Sequence, residues 1–168
     1  MSETRQSAVV GGFVGFLYGM VTTVQTYFTT FPFFMAYMTR RVASNPTFAS
    51  NLQSALNIIN TAMYVSLLMI TPMLAVLGYL VGILFVKFKG HLPGSSIIRK
   101  AVVFSLILFA ISFIPTLRSL LDPRVTAAFG AGFFPLRAES YALTLAEYLL
   151  FGWLFGYLLQ RRLKPKGT

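Results

Sequence analysis

One stretch of the chain, from Ala62 to Val86, carries no charge over 25 residues. About 20 apolar residues in a helix are enough to cross a hydrocarbon core of ~30 Å. At helical spacing, one face of residues 51–89 carries small or polar side chains, whereas the other faces carry Leu, Ile, Val and Met. That face comprises Asn57, Asn60, Tyr64, Thr71, Ala75, Gly78 and Gly82. Because small residues let helices approach closely in lipid, the stretch predicts a membrane-spanning helix that turns this face toward other helices.

The composition predicts that the rest of the chain is embedded in the membrane as well. The sequence is 56% hydrophobic and 11% charged, with a mean hydropathy of +0.72, values that are typical of a polytopic membrane protein. We expect four transmembrane helices at about 8–38, 56–88, 97–121 and 135–163. They would form one antiparallel all-α bundle in a single membrane domain, 1–168, in contact with the lipid bilayer.

The basic residues predict how this bundle is oriented. Nine Lys and Arg flank the spans on the side of the termini, and five lie on the other side. The nine are Arg5, Lys87, Lys89, Arg99, Lys100, Arg161, Arg162, Lys164 and Lys166; the five are Arg40, Arg41, Arg118, Arg124 and Arg137. Because cytoplasmic flanks carry the excess of positive charge, we expect a multi-pass protein of the cytoplasmic membrane with both termini in the cytoplasm. Topology therefore explains the net charge of +10, and we expect no nucleic-acid partner.

Glycines recur at GxxxG-like spacing in three of the predicted spans. They are Gly11, Gly15 and Gly19 in the first, Gly78 and Gly82 in the second, and Gly152 and Gly156 in the fourth. Such glycines predict close helix–helix packing, here in the cytoplasmic half of the bundle. The motifs Gly78-Tyr-Leu-Val-Gly82 and Gly152-Trp-Leu-Phe-Gly156 each precede a cation nine residues after their first glycine. This similarity suggests two repeated helical hairpins related by an axis along the membrane normal.

Prolines and serines predict where the helices bend and begin. Proline removes a backbone donor, so we expect Pro32 to kink or end the first span and Pro115 to break the outer end of the third. Pro72 should bend the second span unless a neighbour satisfies the freed carbonyl. Ser95 or Ser96 is placed to cap the start of the third span.

Glu147 is the one charged residue in the apolar run 141–159. An ionisable group inside a membrane is costly and usually faces the protein interior or a water-filled cavity. Two interpretations stay open. Glu147 is either a structural partner of Arg118 or Arg137, or a cation or proton site in an outer cavity. The candidate polar cluster comprises Glu147, Gln25, Thr22, Thr26 and Arg118.

Other chemistry is sparse in this sequence. There is no cysteine, and the single histidine, His91, lies in a basic loop without neighbouring metal-ligand types. We therefore expect no metal, no cofactor and no enzymatic activity. The cations of this loop, Lys87, Lys89, Arg99 and Lys100, are a candidate site for anionic lipid head groups.

Three classes of function remain after these exclusions. The polar outer face and Glu147 favour a small transport or permeation protein. Because four helices are few for a transport path, this class implies a homo-oligomer. The packing glycines and the sparse chemistry also suit a non-enzymatic accessory or scaffold subunit of a membrane complex. An intramembrane enzyme is the least supported class, since no catalytic constellation is recognisable.

Overall fold

The computed structural model describes residues 2–45, 51–120, 123, 124, 127 and 138–163. These residues form five helices and no strand. The helices are α1 Glu3–Thr29, α2 Phe31–Ala43, α3 Leu52–Phe88, α4 Ile97–Leu120 and α5 Ala138–Leu163. All except α2 are long and apolar enough to cross a membrane. The prediction of an all-α bundle of four membrane-spanning helices is confirmed.

The observed helices differ most from the predictions in the first span, in where it begins and in whether it is continuous. α1 begins at Glu3 rather than near residue 8, because the Ser2 side chain accepts a hydrogen bond from the Arg5 N–H and caps the helix. The predicted first span, 8–38, divides at Thr30 into α1 and α2. The division coincides with Pro32, which lies in the first turn of α2, where its missing N–H and fixed φ are well tolerated.

The other two prolines do not end their helices. α3 continues through Pro72 to Phe88, and α4 continues through Pro115 to Leu120. The prediction that Pro115 breaks the third span is therefore wrong, and a membrane helix tolerates proline where neighbouring groups satisfy the freed carbonyl. The predicted cap of α4 is confirmed at Ser96, whose Oγ accepts from the Arg99 N–H at 3.2 Å.

The bundle consists of two antiparallel helical hairpins. α1 packs along α3, α4 packs along α5, and α1 also contacts α5. At one end of the first hairpin, Ser7 Oγ donates to the Gly82 carbonyl at 2.7 Å. About four turns further along α1, Thr23 Oγ1 lies 3.4 Å from the Leu67 carbonyl oxygen. α1 therefore contacts a helix of each hairpin.

The buried core lies at the end of the bundle where α1 begins and α5 ends, which we call the terminal end. The Phe85 ring packs against Phe104 and Phe155 at centroid distances of 5.7 and 5.2 Å. The buried cluster comprises Val10, Val14, Phe85, Ala101, Phe104, Phe155 and Leu159. The opposite end has no such cluster among the described residues, which leaves room there for a cavity.

Four spans place the α2–α3 connection on the opposite side of the membrane from the C-terminus. Cysteines introduced singly at Ser50 and at Gly167, both outside the described residues, should therefore react with a membrane-impermeant maleimide from opposite sides. The chain has no cysteine of its own, so each label reports one site. Labelling of both positions from the same side of sealed vesicles would contradict the four-span topology.

Candidate functional site

A polar cavity opens between α1, α4 and α5 at the end opposite the terminal end. Its volume is about 240 Å³. Nine of its lining residues carry a hydroxyl group, one an amide and one a carboxyl group. The lining comprises Tyr18, Thr22, Gln25, Thr26, Thr29, Thr30, Phe109, Ser112, Phe113, Ser140, Tyr141, Thr144 and Glu147. Polar groups are costly in hydrocarbon without partners, so this concentration indicates a site for water or a polar solute.

One face of α1 supplies a wall of this cavity. Its residues recur at intervals of three or four, which is the spacing of a single helix face: Tyr18, Thr22, Gln25, Thr26 and Thr29. Thr23 lies on a neighbouring face and contacts α3 instead, with its Oγ1 3.1 Å from Thr71 Oγ1. The adjacent residues Thr22 and Thr23 are therefore divided between the cavity and the α1–α3 contact.

The Thr22 hydroxyl is a buried group with spare hydrogen-bonding capacity. Its oxygen is buried and has no partner of good geometry among the described residues, although the Tyr18 phenol lies nearby. Leaving a buried polar group unsatisfied costs about 1–3 kcal/mol. Because Thr22 lines the cavity, a water or solute bound there would offset this cost.

The first three turns of α5 supply the facing wall. Ser140, Thr144 and Glu147 follow one another at intervals of four and three residues, and all three line the cavity. Thr144 Oγ1 donates to the Ser140 carbonyl at 2.8 Å. Glu147 is partly buried, and the Tyr18 phenol of α1 lies close to its carboxyl group. The two helices therefore meet at a carboxyl–phenol pair on the cavity wall.

Aromatic rings close the cavity toward the terminal end. Tyr18 packs edge-on against Tyr148 and Phe151, with centroids 6.1 and 6.0 Å away. The Tyr148 hydroxyl donates to Ser112 Oγ of α4 at 3.2 Å. These contacts join α1, α4 and α5 beneath Glu147 and separate the polar cavity from the apolar core.

Glu147 also borders two apolar clefts along the seam between α1 and α5. Their volumes are about 140 and 400 Å³. Met20, Val21 and Val24 of α1 line the larger cleft and are about half exposed. The carboxyl group thus stands at the boundary between the polar cavity and the surface that faces lipid.

The two arginines predicted as partners of Glu147 are not placed by the structure. Arg137 lies outside the described residues, and the side chain of Arg118, at the end of α4, is not among those described. Gln25, Thr22, Thr26 and Glu147 of the candidate cluster are brought together in one cavity, whereas Arg118 is not shown to join them. A structural ion pair at Glu147 stays a prediction.

The glycines singled out in the sequence lie at helix contacts. A Cβ atom built at Gly78 would collide with the carbonyl oxygen of Gly11 and lie 2.8 Å from the Gly15 Cα. One built at Gly19 would lie 2.7 Å from the Thr71 Cα, and one at Gly82 would collide with the Ser7 carbonyl. These glycines therefore stand where the backbones of α1 and α3 meet.

The glycines of α5 stand in the corresponding relation to α4. A Cβ atom at Gly152 would collide with Ser105 Oγ, and one at Gly156 would lie 2.7 Å from the Ile98 Cα. In each hairpin, the second helix thus presents its glycine pair to the first. This correspondence between Gly78, Gly82 and their α5 counterparts is what a pair of repeated hairpins would produce.

The four loop cations predicted to hold anionic lipid are partly engaged within the chain. Lys89 Nζ contacts Glu3 Oε1 of α1 in an ion pair. Lys100 Nζ donates to the Lys89 carbonyl at 2.9 Å. Lys87 and Arg99 remain exposed.

Tyr18 and the α5 hydroxyls line the cavity but were not among the predicted site residues. Helical spacing could have identified them: Tyr18 precedes Thr22 by four residues, and Ser140 and Thr144 precede Glu147 by seven and three. Ser112 lies on the same face of α4 as Ser105, seven residues before it, but serines in an apolar helix do not show which neighbouring helix they face.

No group of three or more His, Asp or Glu side chains that could hold a metal ion occurs within the described parts of the chain. The candidate functional site of this chain is therefore the polar cavity, which contains one carboxyl group. No protein-family model, curated protein or solved structure matches this chain.

Proposed function

We propose that this chain is a small transport or permeation protein that takes up a cation or a proton at Glu147. It would act as an oligomer in the cytoplasmic membrane, with both termini in the cytoplasm and the cavity open to the outer side. The observation that carries the proposal is the position of Glu147, which shares a polar cavity with hydroxyl groups inside membrane-spanning helices. Ionisable residues at such positions commonly mark ion and proton pathways.

The chemistry of the cavity suits a singly charged solute. A cation that enters must replace its hydration shell with protein oxygens. Glu147 supplies negative charge, and Thr22, Gln25 and Thr26 supply neutral oxygens on the facing wall. Proton uptake by the same carboxyl group would remove the negative charge and release the cation. Exchange of a bound cation for a proton therefore requires only the Glu147 carboxyl group and the Tyr18 phenol beside it.

A second function is favoured by the surface of α3. Leu68, Met69, Met73 and Val76 form a run of large apolar side chains that are more than half exposed. Such a surface suits lipid, and it also suits a neighbouring helix of a larger complex. An accessory or scaffold subunit is therefore the alternative proposal, and the absence of enzymatic activity stays a prediction.

A reconstituted flux assay separates the two proposals. We expect the purified chain in vesicles to dissipate an imposed gradient of H⁺, Na⁺ or K⁺, followed with a dye trapped inside. Thr26→Trp should reduce this flux to the level of protein-free vesicles, because the indole would fill the cavity. Leu68→Trp adds the same ring to a side chain that is 72% exposed on α3, so it should leave flux unchanged. No flux of the unchanged chain under any of the three gradients would favour the scaffold function.

A further inference from the structure

A separate cleft lies at the terminal end, between the first turns of α1 and the last turns of α5. Its volume is about 340 Å³. Val9, Val10 and Phe13 line one side, and Leu158 lines the other. Arg161 and Arg162 stand at its edge, in the last turn of α5. The cleft thus combines an apolar wall with two adjacent guanidinium groups, and it belongs to neither Glu147 nor its cavity.

The charge around this cleft is positive. Arg161 and Arg162 are exposed, and none of the six lining residues is acidic. Arg5 is also exposed and precedes Val9 by one turn, so it lies on the same face of α1. Glu3, the acidic residue of this part of α1, is engaged with Lys89 of α3. An anion at the cleft would therefore meet cations from both of its helices.

The order of apolar and basic groups matches the order of groups in a phospholipid. Val9 and Phe13 are exposed toward the region of acyl chains. The arginines follow the apolar run of α5 in its last turn, where a helix that spans the membrane would reach the phosphate groups. Arginine suits this position because its planar fork binds phosphate oxygens in a bidentate manner. Basic pockets between membrane helices hold lipid head groups by this means.

We propose that the cleft between α1 and α5 binds one anionic phospholipid. The phosphate contacts Arg161 and Arg162, and one acyl chain lies along Val9, Phe13 and Leu158. The loop between α3 and α4 is a weaker site, because two of its four cations are engaged within the chain. The proposal is independent of Glu147 and of any transport activity.

Native mass spectrometry of the full chain in non-ionic detergent tests this site. We expect one phosphatidylglycerol to bind about 10- to 30-fold more tightly than phosphatidylcholine with the same acyl chains, since each cation near a membrane surface contributes about 1 kcal/mol. Arg161→Gln combined with Arg162→Gln should remove this preference. Lys87→Gln combined with Arg99→Gln removes the same charge from two exposed residues at the same end and should leave the preference unchanged.

A further variant distinguishes lipid binding in the cleft from lipid binding to a basic surface alone. Val9→Trp places an indole in the cleft without changing any charge and should weaken phosphatidylglycerol binding several-fold. Unchanged helical circular dichroism of this variant would show that it is folded. Glycerol phosphate, which carries the phosphate without acyl chains, should not compete. Equal loss of preference in both double variants, unchanged binding in Val9→Trp, or competition by glycerol phosphate would each overturn the proposal.

Discussion

Glu147→Gln should abolish proton- and cation-dependent flux in reconstituted vesicles while leaving the fold intact. Glutamine keeps the shape of the side chain and can still accept a hydrogen bond from the Tyr18 phenol. It removes the negative charge and the ability to exchange a proton. We therefore expect flux at the level of protein-free vesicles, and a change in the free energy of unfolding of less than about 1 kcal/mol. Flux and thermal unfolding in detergent should be measured on the same preparation.

Glu139→Gln is the matched control for this experiment. Glu139 lies on α5 about two turns before Glu147, is exposed and does not line the cavity. The same substitution there should leave flux unchanged. If Glu147 instead pairs with Arg118 or Arg137, its substitution should destabilise the bundle by about 3–5 kcal/mol, because a buried arginine would lose its partner. A variant with normal stability, normal flux and an unaltered cation response would defeat both interpretations of Glu147.

Gly78→Leu and Gly15→Leu should both destabilise the first hairpin. At Gly78 a side chain would enter the backbone of α1 at Gly11, and at Gly15 it would enter the backbone of α3 at Leu74. Neither obstacle is a flexible side chain, so the two helices must separate. Overpacking of this kind costs about 1–3 kcal/mol and occasionally more. We expect the melting temperature in detergent to fall by about 4–10 °C.

Two adjacent glycines of α1 provide the control for this prediction. A Cβ atom at Gly11 would collide with the Gly78 carbonyl, whereas the nearest atoms to one at Gly12 lie 3.5 Å away, in Ala75 and Tyr79. Gly11→Ala should therefore destabilise the bundle, and Gly12→Ala should leave its stability unchanged or raise it. Equal melting temperatures for the two alanine variants, or unchanged stability of both leucine variants, would show that α1 and α3 do not meet at these glycines.

The prolines and threonines show which structural features could be predicted from the sequence and which could not. The rule that proline disrupts a helix was correct for Pro32 and wrong for Pro115. The difference depends on whether neighbouring groups satisfy the backbone carbonyl that proline leaves free, and the local sequence does not reveal those neighbours. Thr22 and Thr23 are adjacent in the sequence, yet the first lines the cavity and the second contacts α3. A rotation of 100° per residue is enough to give neighbours different partners.

The sequence alone determined that four apolar helices span a membrane, because length and hydropathy are properties of each segment by itself. It also marked Glu147, since a charge in an apolar run stands out without any knowledge of its neighbours. Only the tertiary structure decided that the carboxyl group lies beside Tyr18 in a polar cavity, and that Arg161 borders an apolar cleft with α1. In lipid every apolar face is equally compatible with the surroundings, so hydropathy does not choose which helix faces meet. Close packing and hydrogen bonding between particular helices make that choice, and both depend on contacts between residues that are far apart in the chain.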